Sequence, residues 1–199
     1  MMRFYDSKLR KDRVTVQPGE MYVTRGDEII YTILGSCISV CLHDPEAGVA
    51  GMNHFMLPKR SDGGAYSATA EMGRYGDEAV AQLLKEMLRN SANISRLTAK
   101  VFGGAAMISK CCERNCVSKE NAETAFAFLA EHRIPVYASD TGGACGRRIF
   151  FDTYSGNVLV EPLRERGFES CRVVLTSEPH AADTPLSCCK ETRRMRKSI

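Results

Sequence analysis

Two β-patterned runs joined by Asp44-Pro45-Glu46-Ala47-Gly48 constrain this chain more than any other feature. From Cys37 the pattern alternates, with Ile38, Val40 and Leu42 on one side and Cys37, Ser39 and Cys41 on the other, as in a half-buried strand. Asp at the first turn position, Pro at the second and Gly at the exit supply the turn. Residues 49–57 return as a second strand, stopped by Pro58. Taking residues 44–47 as a four-residue loop puts Cys37 opposite His54, Ser39 opposite Met52 and Cys41 opposite Ala50. Directly opposed residues share a face, with Cβ atoms roughly 4.5–5.5 Å apart, which suits a thiol and an imidazole. A one-residue change in loop length would put the pair on opposite faces.

The rest of the chain supplies more strands and two helices. Residues 14–16 and 21–24 read as short strands around Pro18-Gly19, and residues 29–34 as an apolar, β-rich run ending at Gly35-Ser36-Cys37. Residues 59–67 are loop. Ala79, Val80, Leu83, Leu84, Met87 and Leu88 recur at helical spacing. Residues 98–102 form a strand ending in Gly103-Gly104. A second helix spans 118–132, with Ser118 as N-cap and Ala122, Ala125, Phe126 and Leu129 facing inward. Residues 134–138 are a strand, 148–152 and 158–160 flank Tyr154-Ser155-Gly156-Asn157 as a hairpin, and 172–175 add a last strand. Many strands with two intervening helices point to a mixed α+β or layered α/β domain. With 199 residues, no internal repeat and no linker, one domain over residues 1–176 is expected, followed by a flexible tail over 177–199. Arg193, Arg194, Arg196 and Lys197 make that tail basic. It reads as a solvated end or as a contact for an acidic partner.

A net charge of +3 is too small to imply nucleic acid. No apolar run approaches 18 residues, and the start lacks a signal-peptide core, so a cytoplasmic protein without membrane insertion is expected. Nine cysteines in a reducing compartment are then mostly free thiols, and an odd number cannot all pair. The useful question is therefore which cysteine is reactive.

A hydrolytic cysteine needs partial exposure, a base within reach and donors for an oxyanion. Cys37 follows a strand at a tight turn, Gly35 permits close approach, and the amides of residues 35–37 can face a carbonyl oxygen. His54 is the expected base, its ion pair with Cys37 lowering the apparent thiol pKa. The same two residues also fit an ordinary pair in a sheet. Thr32, Ser36 and Asn53 are the nearby groups that can orient the imidazole, Asn53 being disfavoured because it neighbours His54 and points to the other face. His43, His132 and His180 read as surface residues.

Leu34-Gly35-Ser36-Cys37, then Val40-Cys41-Leu42-His43-Asp44-Pro45, then Gly51-Met52-Asn53-His54-Phe55-Met56-Leu57-Pro58 resemble the signature of the CheD family of chemoreceptor glutamine deamidases. Phe102-Gly103-Gly104-Ala105 resembles its central glycine motif, Asp140-Thr141-Gly142-Gly143 with Gly146-Arg147-Arg148 its later loop, and Gly156-Asn157-Val158 its closing hairpin. The resemblance covers about residues 14–163. It implies a three-layer α/β sandwich with a mixed sheet, similar to bacterial toxin deamidases. It implies hydrolysis of receptor glutamine amides, and of glutamyl methyl esters, with Cys37 as nucleophile, His54 as base and no cofactor. The family's third residue is a Thr before the nucleophile. Thr32 is the match, five positions before Cys37, where Tyr31 occupies the sixth. Gly35 and Ser36 fall in the expected oxyanion site. Gly103 and Gly104 are candidates for a wall admitting a receptor helix, or for simple tight turns. In some members a CheC-type phosphatase binds and inhibits the enzyme. Cys111-Cys112-Glu113-Arg114-Asn115-Cys116 and the basic tail depart from the family, and three cysteines without a fourth ligand make a poor zinc motif. The alternative readings are a non-enzymatic adaptor for receptors or for the phosphatase, another thiol hydrolase, and a redox sensor built on the cysteine cluster.

Overall fold

The computed structural model describes residues 1–59, 72–106 and 116–163, with the backbone of 172–174. Most of the loop at 59–67, Cys111, Cys112 and everything from residue 175 onward, including His180, Cys188, Cys189 and the basic tail, lie outside the described residues.

The strands are β1 (Met2–Asp6), β2 (Lys11–Thr15), β3 (Met21–Thr24), β4 (Glu28–Leu34), β5 (Ile38–Asp44), β6 (Val49–Asn53), β7 (Thr98–Gly103), β8 (Val136–Thr141), β9 (Arg147–Asp152), β10 (Val158–Pro162) and β11 (Arg172–Val174). The helices are α1 (Gly76–Arg89) and α2 (Val117–Glu131). One sheet runs β1-β2-β4-β9-β10-β11 and the other β3-β6-β5-β7-β8. Each holds one parallel pair, β2 with β4 and β7 with β8, so both are mixed.

Alternation along β5 explains the layering. Ile38, Val40 and Leu42 point to one side, where Leu83, Met87, Ala125 and Leu129 of the two helices close a core. Cys41, on the other side, meets Ile30, Leu34, Ile149 and Phe151 of the six-stranded sheet. Helices, five-stranded sheet and six-stranded sheet thus form the three layers of an α+β domain, with an apolar core on each face of the middle sheet. Each fully buried Leu, Val or Ile contributes about 1.5–3 kcal/mol.

Some elements differ from the sequence expectation. β1 was not anticipated: Met2 and Tyr5 are 67% and 64% exposed, so burial leaves no alternating signature there. The second helix starts one residue early, with Cys116 as N-cap and no side-chain capping bond. Ser118 instead lies buried in the first turn, its Oγ 2.9 Å from Cys116 Sγ. His43 is a half-buried strand residue packed against Gly156, where a Cβ would come within 2.5 Å of its Nδ1.

The turn at Asp44 is anchored beyond its local chemistry. Asp44 Oδ1 accepts from the amides of Glu46 and Ala47, both at 3.1 Å. Arg96 donates to both carboxylate oxygens, at 3.1 and 2.9 Å, and the Asn93 amide to Oδ2 at 2.8 Å. Burial alone would raise the Asp44 carboxyl, but these donors outweigh it and hold it at about 2. A depressed folded pKa stabilises the fold above the unfolded value of about 3.9, and the gain is lost as pH falls through about 2. Asp44→Asn is therefore expected to cost about 2–3 kcal/mol at pH 7 and progressively less toward pH 2 in urea titrations. A pH-independent difference would contradict this account.

Candidate active site

The chain changes sheets at Gly35-Ser36-Cys37, between the end of β4 in one sheet and the start of β5 in the other. On β4, Ile30, Thr32 and Leu34 occupy alternate positions and are all buried; Ile30 and Leu34 belong to the core between the sheets. His54 follows β6 in the opposing sheet and is 2% exposed. Its backbone is pinned by a bond from its N–H to Glu20 O (3.0 Å) and by Gly19 N–H donating to its carbonyl (2.7 Å). Thr32 and His54 thus meet across the sandwich, with Thr32 Oγ1 2.8 Å from His54 Nδ1.

The direction of this bond follows from the network. The Thr32 hydroxyl donates its one hydrogen to Val16 O at 2.8 Å. His54 Nδ1 therefore carries the proton and donates to Thr32 Oγ1, which leaves the lone pair on Nε2. Nε2 is buried and has no hydrogen-bond partner among the described residues. Asn53, on the other side of the strand, accepts from the Val40 amide at 2.9 Å and takes no part in orienting the ring.

The hairpin register differs from the expected one by two residues. Asp44 pairs with Val49 and Cys41 with Met52, and an isolated bridge joins Ile38 to Phe55, because the loop is residues 45–48. A shift of two preserves the face, since the side-chain period is two. Cys37 and His54 are therefore diagonal rather than direct neighbours, a relation that places such positions roughly 7–8 Å apart, and no hydrogen bond joins His54 Nε2 to Cys37.

The turn itself is held from behind. Ala105 N–H donates to Gly35 O and Gly104 N–H to Cys37 O, both at 2.8 Å. Asn121 Nδ2 donates to Ser36 O at 3.1 Å and to Met56 O at 2.9 Å. No peptide bond is cis, so each amide N–H points opposite its preceding carbonyl. The Ser36 and Cys37 N–H groups consequently point away from this support, on the side where Ser36 is exposed and Cys37 half-buried. Gly103 and Gly104 are buried on the supporting side. Gly103 has φ +113°, and a Cβ there would lie 2.1 Å from Cys37 O, so these glycines let β7 back up against the turn.

The electrostatics favour uncharged partners. Burial pushes the Cys37 thiol up, against smaller lowering effects of the Ser36 side chain and its own backbone N–H. Burial pushes His54 down to about 4, despite a bond with the Val16 carbonyl that raises it. Burial thus works against the expected thiolate–imidazolium pair, because the low-dielectric interior penalises both charged forms. Cys41 is fully buried and pushed up to about 12, and Cys145 is exposed in a loop.

Two contributing residues had no role in the sequence reading, Arg147 appearing there only within the later-loop motif. Asn121 occupies the inward stripe of α2, where a polar side chain among Ala125 and Leu129 was the available signal. Arg147, 5% exposed, binds the Asp140 carboxylate at 2.7 Å and the carbonyls of Asp140 and Gly142. It fixes the loop whose Gly142 N–H holds Gly103 O at 2.9 Å.

The family model for CheD chemotactic sensory transduction matches residues 56–162. The chain belongs to the CheD family. A probable chemoreceptor glutamine deamidase CheD of Bordetella avium (strain 197N) is 38% identical over 180 residues, which cover 90% of this chain and 78% of that one. A probable chemoreceptor glutamine deamidase CheD 1 of Dechloromonas aromatica (strain RCB) is 38% identical over 161 residues, covering 81% of this chain and 78% of its own. These shares extend the family's kinship well beyond residues 56–162, a match that begins two residues after His54. Among solved structures, the hypothetical protein YfiH of Bacillus licheniformis has a TM-score of 0.40 at 11% identity, over 62% of this chain and 51% of that one. YlmD from Geobacillus stearothermophilus has a TM-score of 0.39 at 12% identity, over 61% and 50%. No helix among the described residues of this CheD-family chain is long and apolar enough to cross a membrane.

Proposed function

We propose that this protein hydrolyses the side-chain amides of chemoreceptor glutamines to glutamate through Cys37 and His54. The observation that carries the reading is the buried His54, oriented through Nδ1 by Thr32 and left with an unpartnered Nε2 on the face it shares with Cys37. The names of the relatives supply the substrate class.

In this mechanism Cys37 Sγ attacks the glutamine Cδ while His54 Nε2 takes the thiol proton, so the neutral pair becomes charged only as the bond forms. The Ser36 and Cys37 N–H groups hold the oxyanion. The imidazolium gives its proton to the departing amide nitrogen, which leaves as ammonia. Water, deprotonated by His54, then attacks the thioester, yielding glutamate and restoring the thiol. The same sequence with methanol as leaving group hydrolyses a glutamyl methyl ester. A CheC-type phosphatase, where the cell has one, acts as an inhibitor of this step.

The test is intact-mass spectrometry of a purified receptor cytoplasmic domain after incubation with the protein. Exchange of NH2 for OH adds about one dalton per modified glutamine. No mass change with a folded protein on any receptor tried overturns the reading in favour of an adaptor.

A neutral resting pair has its own signature. Alkylation of Cys37 by iodoacetamide should be slow near neutrality and climb with pH through a thiol pKa above the ordinary range, since only the thiolate reacts. Turnover should fall only in strong acid, as His54 protonates near 4 and the base is lost. An alkylation plateau below pH 7 would show a preformed ion pair and refute the neutral state.

A further inference from the structure

Asn121 is 0% exposed, lies on α2, and takes part in neither proton transfer nor attack. Its Nδ2 donates to Ser36 O, one residue before the thiol, and to Met56 O, two residues after the imidazole. Exchanging its amide nitrogen and oxygen would set an acceptor against two carbonyl oxygens, so the assignment is fixed by its partners. Its Oδ1 is buried without a hydrogen-bond partner among the described residues. An unpaired buried carbonyl oxygen is costly, and Ala would suit a helix interior better, so Asn is held here by its two bonds to Ser36 O and Met56 O.

We propose that Asn121 is a positioning residue that aims the Cys37 N–H at the oxyanion and locks the Cys37 turn to the segment carrying His54. The Ser36 carbonyl and the Cys37 N–H belong to one planar trans peptide and point in opposite directions. Drawing the carbonyl toward α2 fixes the N–H toward the exposed side of the turn. The second hydrogen holds Met56, and the bridge Ile38–Phe55 completes the tie between the two segments. One side-chain amide therefore sets both an oxyanion donor and the relative placement of the two reacting groups. The proposal rests on the amidohydrolase reading for its effect on turnover, but its geometric content can be read without a receptor.

The test compares two reactions of Cys37 in the full chain, both read on the Cys37 peptide by mass spectrometry. Acylation by p-nitrophenyl acetate passes through an oxyanion, whereas alkylation by iodoacetamide does not. Asn121→Asp keeps the size but removes both donors, and Asn121→Leu removes them without a charge. Ala125→Gly, one turn further along α2, supplies a general loss of helix stability. Either Asn121 variant should lose about tenfold to a thousandfold in acylation while alkylation stays within about threefold, and Ala125→Gly should change both in equal proportion or neither. Deamidation should fall in kcat with little change in KM. In wild type, NMR should show both Asn121 Nδ2 protons exchanging slowly with solvent, a readout that needs no variant to fold. Equal loss of acylation and alkylation, unchanged acylation, or freely exchanging Nδ2 protons each overturn the proposal. If wild type acylates as expected yet deamidates no receptor, the functional reading fails while the positioning role stands on its own result.

Discussion

Cys37→Ala is expected to remove receptor deamidation, by on the order of 10⁴-fold or more, with the fold intact. In the proposed mechanism the thiol is the one group that forms a bond to the substrate carbon, and neither the methyl group left by the substitution nor water held by His54 replaces it. The side chain is half-buried and the change removes a single sulfur, so the stability cost should stay near about 1 kcal/mol. Intact-mass measurement of the receptor reports activity, and thermal melting reports the fold. Cys145→Ala, at an exposed thiol, should leave the rate alone. A Cys37→Ala protein that still deamidates at a tenth of the wild-type rate would dismiss the mechanism. Loss of activity only on replacing Cys111, Cys112 and Cys116 together would favour a redox sensor.

The second large effect is at His54. His54→Gln removes the proton acceptor while its amide can still donate toward Thr32 and Val16. Loss of a general base costs about 10²–10⁴-fold, and here the loss should sit at the upper end. The raised Cys37 thiol supplies almost no thiolate at pH 7 unless a base takes its proton. The residual rate should therefore rise steeply with pH, while alkylation of Cys37 at high pH stays near wild type because the thiolate is then already formed. A residual deamidation rate flat between pH 6 and 9 would show that His54 is not the base.

Much of this arrangement was legible in the chain. The alternation along β5, a turn following Asp44 and the apolar stripes of α1 and α2 are local, repeated signals that the structure carries, with the loop moved by one residue and Leu88 of the expected α1 stripe exposed. The face shared by Cys37 and His54 was also legible, because parity survives a two-residue error in loop placement. The register itself was not. It depends on where the ladder closes, and closure at Asp44–Val49 is set by donors from Asn93 and Arg96, about fifty residues away. β1 was invisible because an exposed edge strand has no buried face to pattern it.

Sequence by itself determined the element types and the family, since these rest on residue identity and short-range periodicity, and it singled out Cys37 and His54 as the candidate pair for thiol hydrolysis. Only the tertiary structure decided that Thr32 of one sheet meets His54 of the other, and that burial pushes the Cys37 thiol up and the His54 imidazole down. It also brought Asn121 behind the Cys37 turn from more than eighty positions away. The physical reason is the same in each case. Hydrogen-bond direction and desolvation depend on which distant groups close around a side chain, and that is fixed only when the two sheets and the helices pack together.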